Sequence, residues 1–344
     1  MSGVLLGIAL GDALGFITEG MQQDNVKRKF GKVKRFYVLG DRGFVTDDTE
    51  QSALIAESIV RYPDDLPFCV QHFRRAMVMW FACMPFGIGR ATSKACTRIA
   101  LGVRKSGVQS AGNGAAMRAA PIGAYFYDQP ELRVQYGVEL AQSTHFDQSA
   151  VDGALFVAEL ASICITKPDE KSLDSCFNDA IKVVGEPNLC AALEKAADMA
   201  RRSIDLEVAA SELNRKPGAY ILNSLPFSTY SFLRNGNGDI LECLASTIGG
   251  GGDTDTNAAM VGAWLGALHG ASKLPSELIA KIDDGPFGPS HLRRLAHSMV
   301  DSKLARKASI PNYSLLHSAL RNIALIPVIL THAVIRFLPI SSAQ

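Results

Sequence analysis

The stretch Gly251–Gly270, "GGDTDTNAAMVGAWLGALHG", decides how the chain is read. From Ala258 onward the apolar residues recur at three- and four-residue spacing, the period of an α-helix, and Gly270 is a natural stop. Ahead of them stand four consecutive glycines, Gly249–Gly252, and then Asp253 and Asp255. Asp253 or Thr254 is a good N-cap, so the acidic pair has a purely structural reading. It also has a chemical one. Carboxylates at a helix start are hard oxygen donors, and glycines without a Cβ allow positive φ and close approach to a ligand.

Working outward, the helical period repeats near residues 3–15, 48–61, 69–82, 91–104, 131–142, 147–164, 189–202, 206–214, 240–247, 275–282 and 290–306. Strand signals are few, and "KVKRFYVL" (32–39) is the best of them. No fixed repeat and no low-complexity linker interrupts the pattern. The expectation is an all-α fold in one large domain, residues 1–300, followed by an apolar extension, 301–344, that is helical at least in part. In the first segment Gly3, Gly7, Gly11 and Gly15 fall on one helical face, a smooth surface for another helix or a ligand. Asp12 interrupts that apolar run and no basic stretch precedes it, which argues against a signal peptide. In the tail, "IALIPVILTHAVIRFLPI" (323–340) reads either as a buried C-terminal helix or as a segment that meets a partner or a membrane surface.

Composition narrows the function. With 344 residues, 47% hydrophobic and 20% charged, the chain is an ordinary globular one. The net charge of +1 gives no electrostatic signal for nucleic acid. Seven widely spaced cysteines without a CxxC read as free thiols in a reducing, cytoplasmic setting. Neither a Walker A loop nor a dinucleotide fingerprint is present.

A second acidic cluster, "FVTDDTEQSAL" from Phe44, places Thr46, Asp47 and Asp48 before another helix. Capping explains it alone, with Glu50 or Gln51 closing a capping box. Together the two clusters hold four carboxylates and several hydroxyls. Brought close, they would repel one another unless divalent cations neutralised them. Two ions about 3.5–4 Å apart would do so. "SAGNGAAMRAAPIGAYF", from Ser110, holds Gly112, Asn113 and Gly114 in a turn whose N–H groups suit a phosphate, or in a plain loop. His145, in "STHFDQSAVDGALF", precedes a further helix.

In this order the stretches "GIALGDALGFITEG", "TDDTEQSAL", "GNGAAMRAAPIG", "STH" and "GGDTDTNAAMVGAWLGALHG" resemble the ADP-ribosylglycohydrolase family over about residues 3–270. The resemblance implies a compact, orthogonal all-α bundle with a binuclear metal cleft at helix ends. It implies Thr46, Asp47, Asp48, Asp253, Asp255 and Thr256 as ligands of two Mg²⁺ or Mn²⁺ ions, with Asp255 bridging. Glu19, Asp47, Asp48 and Asp255 would act in catalysis. Gly112, Asn113, Gly114, His145, Gly251 and Gly252 would contact the ADP-ribose. The implied substrate is an ADP-ribosylated protein or small molecule, with arginine the first acceptor and serine the rival. Because the family includes a lens crystallin, a non-catalytic protein on the same scaffold is the other reading. One departure is visible: many relatives carry an Asp in the segment resembling "PFGIGRAT" (85–92), where this chain has Gly87.

Overall fold

Gly3, Gly7, Gly11 and Gly15 line one face of the first helix, Ser2–Gly15, and the core is built on that face. The helix packs antiparallel against Thr254–His269, so that Gly3 meets Gly266, Gly7 meets Gly262, Gly11 meets Ala258 and Gly15 meets Thr254. The approach is backbone to backbone. A Cβ at Gly3, Gly7 or Gly11 would stand 1.9–2.0 Å from the facing carbonyl oxygen, well inside van der Waals contact. The smooth stripe seen in the sequence therefore serves a helix partner. It sets the two helices side by side along their whole length and brings the end of one to the start of the other.

The protein, seen in a computed structural model, is described for residues 1–166, 171–214 and 218–337, with side chains through residue 331. Among these residues there are 17 α-helices and no sheet, only isolated bridges. The fold is all-α, as expected. Gln148–Thr166 runs through the centre. It is long and apolar enough to cross a membrane, but 78% of its apolar window is buried inside the protein. Trp264, fully buried, packs edge-on against Phe156 and tilted against Phe232, and its indole N–H donates to the Val157 carbonyl at 3.2 Å. All seven cysteines are free, and six are buried.

Three expectations change. The segment 32–39 forms no strand: Val38 bridges only to Arg42. Its Val33, Phe36 and Val38 side chains are buried against the core, and no neighbouring strand is there to pair its backbone. Ile221–Asn235 is a core helix that the apolar pattern hides, because Ser224, Ser228, Thr229 and Ser231 are buried alongside Ile221, Leu225, Phe227 and Phe232, and Pro226 lies inside it. The tail forms a helix from Leu315 to Phe337, and the end of the expected apolar segment, 338–340, lies outside the described residues. This helix is buried on one face only. Ser318, Asn322 and Leu325 point inward, whereas Leu316, Leu320, Ile323, Ile326 and Leu330 are exposed. Polar bonds dock it: Arg321 pairs with the buried Glu50, and the Asn322 amide donates to the Cys83 carbonyl at 2.8 Å.

Candidate metal centre and cleft

The helix pair positions the chemistry. At the end of Ser2–Gly15, the Thr254 hydroxyl donates to the Gly15 carbonyl at 2.8 Å, and Thr18 Oγ1 donates to Thr254 Oγ1 at 3.0 Å. This clamp holds the short turn that ends in Glu19 beside the start of Thr254–His269. The helix Asp47–Arg61 arrives at the same place through Asp12. Asp12 Oδ2 accepts from the Thr46 and Thr49 backbone N–H groups at 2.9 and 3.2 Å and from the Thr49 hydroxyl at 2.5 Å.

Asp12 thus caps that helix from outside its own sequence, and the capping reading of the two acidic motifs does not hold. Neither Thr46 nor Asp253, the residues at the two N-cap positions, makes a side-chain cap bond. Their side chains turn into a common acidic cluster. Glu50, the expected box partner, instead accepts from the Trp80 indole at 2.6 Å and pairs with Arg321.

Among the described residues, two triplets of carboxylates bring one ligating atom from each member within 4.8 Å of the others. One triplet is Asp12, Asp48 and Asp255. The other is Glu19, Asp253 and Asp255, so Asp255 is common to both. Thr256 and Thr46 donate hydroxyls to Asp48 Oδ2 at 3.2 and 3.4 Å. Asp47 stands outside both triplets but lines the same cavity, its Oδ2 held by the Gln51 amide at 3.1 Å. Burial, followed by the neighbouring carboxylates, raises Asp47, Asp48 and Asp255 well above the ordinary carboxylate range. Burial likewise raises Asp12 to about 6.

The donor set fits a hard divalent cation. Every available ligand is oxygen. Two buried carboxylate oxygens, Asp12 Oδ1 and Asp48 Oδ1, have no hydrogen-bond partner among the described residues. Such atoms are costly unless a cation or water satisfies them. Asp12 was not expected as a site residue. The signal was the lone charge inside an otherwise apolar helix, which earns its burial only with partners.

The acidic wall opens on a cavity of about 1030 Å³, lined further by Gly87, Arg90, Gly112–Gly114, His145 and Tyr220. Asn113 faces both ways: its amide donates to Asp253 Oδ2 at 2.6 Å and to Ser224 Oγ at 3.1 Å. Gly112 and Gly114 give room to His145, since a Cβ at either would lie 3.3 Å from its Nε2. His145 is buried, and desolvation, then the Arg118 charge, lowers its pKa to about 3. Gly87, with φ of +81°, leaves no space either: a Cβ there would stand 2.2 Å from Asp47 Oδ1.

Gly251 and Gly252, expected against a ligand, lie outside this cavity wall. Both have positive φ, of +69° and +78°. They pack on the protein itself, with Gly252 N donating to the Met21 carbonyl at 2.7 Å and the Asn214 amide donating to the Gly251 carbonyl at 2.7 Å. Gly249 ends the helix Ile240–Gly249, and Gly250–Gly252 form a tight seam that delivers Asp253 to the cluster.

The all-α scaffold presents a buried acidic centre beside an open cleft, and comparison with known proteins identifies its class. The family model for ADP-ribosylglycohydrolase matches residues 1–309, and the chain belongs to that family. An uncharacterised protein of Archaeoglobus fulgidus is 33% identical over 82% of this chain and 91% of its own. The ADP-ribosyl-[dinitrogen reductase] glycohydrolase of Rhodospirillum rubrum is 24% identical over 82% and 89% of the two chains. The ADP-ribosylarginine hydrolase Tri1 of Pseudomonas putida is 24% identical over 87% and 77%. A solved structure, an ADP-ribosylglycohydrolase-related protein complex, superposes with a TM-score of 0.69 over 88% of this chain and 97% of that one, at 24% identity. This protein is accordingly a hydrolase of the ADP-ribosyl glycosidic bond.

Proposed function

We propose that this enzyme removes ADP-ribose from modified arginine side chains of proteins in a reaction that requires two divalent cations, Mg²⁺ or Mn²⁺. The observation that carries the metal requirement is the pair of carboxylate triplets sharing Asp255, with two orphaned buried oxygens. Asp48, Asp253 and Asp255, with Asp47, Thr46 and Thr256 around them, would hold the ions, and Asp12 lies among them. When bound, the ions would supply Lewis acidity to the ribose hydroxyls. Arginine as the acceptor is supported by the relative named an ADP-ribosylarginine hydrolase. Six buried free thiols favour a reducing, cytoplasmic setting. The hydrolase unit is residues 1–300, with 301–344 as an extension, most of which lies beyond the family match.

The protein's own groups have separable tasks. Glu19, half-buried at the cavity edge, positions a water at the anomeric carbon and takes its proton. Asn113 fixes Asp253 while lining the cleft. The buried carboxylates stabilise positive charge as the bond to the acceptor breaks through an oxocarbenium-like state. Neutral His145 and the Gly112–Gly114 turn receive the ADP-ribose. The proton taken by Glu19 passes to the departing acceptor, so the products are ADP-ribose and the unmodified side chain.

The acceptor is tested with matched ADP-ribosyl-arginine and ADP-ribosyl-serine peptides. Faster release from arginine, measured as kcat/KM, is expected. A preference for serine overturns the acceptor assignment and leaves the reaction class standing.

A further inference from the structure

Arg118 has no solvent exposure, yet it is not part of the acidic wall or of the cavity lining. It sits between the Asn113–Ala115 turn and the helix Ala120–Tyr125. Phe73 packs 5.3 Å from its guanidinium carbon. A buried guanidinium is expensive and needs a reason.

Its bonds run to both sides of the cleft. Nη1 donates to Gln51 Oε1 at 2.6 Å, and the Gln51 amide donates to Asp47 Oδ2 at 3.1 Å. Nη2 donates to Thr144 Oγ1 at 2.5 Å, and Thr144 Oγ1 lies 2.8 Å from His145 Nδ1. Gln51 and Thr144 are fully buried, so these bonds are shut off from bulk solvent.

Arginine can only donate. That fact orients Gln51, and it leaves the buried Thr144 hydroxyl with His145 Nδ1 as its other hydrogen-bond partner among the described residues. Gln51 must turn its oxygen to Arg118 and hence its NH₂ to Asp47. Asp47 Oδ2 is thereby engaged, and Oδ1 is left facing Gly87 at the cavity. On the other side, Thr144 accepts from Arg118, and its own hydroxyl proton has His145 Nδ1 as its acceptor. His145 Nδ1 then carries no proton, and the neutral ring presents Nε2–H toward the Gly112–Gly114 turn. A neutral N–H donor suits an oxygen of the phosphate or ribose portion of a ligand.

We propose that Arg118 is a positioning residue that sets, from one buried guanidinium, both the orientation of Asp47 at the acidic wall and the tautomer of His145 on the ligand side. This rests on the cavity being the ADP-ribose site. The low pKa of His145, about 3, keeps the ring neutral across the working range.

The test separates the relay from that reading. The full-length protein is labelled with ¹⁵N-histidine, and His145 is assigned by the signals lost in His145→Gln. The wild type should show Nε2 protonated and Nδ1 bare. In Arg118→Met that preference should disappear. If Arg118→Met does not fold, Thr144→Val, which keeps the shape and removes only the hydroxyl, carries the same expectation. A protonated Nδ1 in the wild type, or an unchanged tautomer in the folded variant, overturns the proposal.

Kinetics gives the second readout. Thr144→Val should raise KM about tenfold with little change in kcat, and Gln51→Leu should lower kcat. Arg118→Met should do both, and adding Thr144→Val to it should raise KM no further. Additive effects on KM would contradict a shared path. Should the wild type release no ADP-ribose while the tautomer shifts as described, the functional reading fails and the relay stands.

Discussion

At the scale of single residues, Asp255 and Gly87 carry the most. Asp255 belongs to both carboxylate triplets, so Asp255→Asn should lower kcat by two or more orders of magnitude, about 3 kcal/mol or more of barrier, while the thermal melt stays cooperative. Retained activity would remove it from the centre. At Gly87, where the family resemblance implies an acid, the positive φ and the 2.2 Å approach of a Cβ to Asp47 Oδ1 leave no room here. Gly87→Asp should therefore lower activity and weaken metal binding by calorimetry, and a gain would show that the loop re-forms around the new carboxylate. Most of the acidic residues were legible in the sequence, because paired carboxylates at two helix starts are conspicuous. Asp12 and Arg118 were not. Each lies in an apolar or small-residue run where only tertiary partners, Thr49 for one and Gln51 and Thr144 for the other, reveal why a charge is there.

At the scale of elements, the glycine stripe does what its spacing suggested, joining Ser2–Gly15 to Thr254–His269 at carbonyl distance. Gly7→Ala would put a methyl 2.0 Å from the Gly262 carbonyl. Urea unfolding should show a loss of about 1–3 kcal/mol from overpacking, with activity falling as the pair splays and Glu19 moves from Asp255. A neutral effect would mean that the seam is looser than described. Most helices were readable from their apolar period, but the short ones Ala120–Tyr125 and Leu173–Ala180 were not, since six to eight residues hold too few turns to show a period. Longer helices were hidden where polar residues share the buried face: Ile221–Asn235 buries three serines and a threonine beside its aliphatic and aromatic residues, and Leu315–Phe337 docks through Ser318 and Asn322 as well as Leu325 while Leu316, Leu320 and Leu330 face outward. A pattern search takes such helices for loops, or turns them the wrong way round.

At the scale of the whole molecule, the acidic centre sets how stability responds to pH and metal. Asp12 is raised from 3.8 to about 6, and Asp47, Asp48 and Asp255 are raised well above the ordinary carboxylate range by burial and by the neighbouring carboxylates. In the metal-free protein the folded state holds protons that the unfolded state releases. Its stability must therefore fall as pH rises above about 4. Melting in chelator should be lower at pH 8 than at pH 5.5. With Mg²⁺ the order should reverse, because ions bind the deprotonated carboxylates of the folded state alone. A melting temperature in chelator that does not fall between these pH values would mean that the carboxylates are stabilised by the protein itself.

The most direct test is the release of free ADP-ribose from ADP-ribosyl-arginine peptide by metal-stripped protein, before and after Mg²⁺ or Mn²⁺ is restored. The account predicts no release when stripped and full release on restoration, with Asp255→Asn silent in both. Undiminished release from the stripped protein would contradict it.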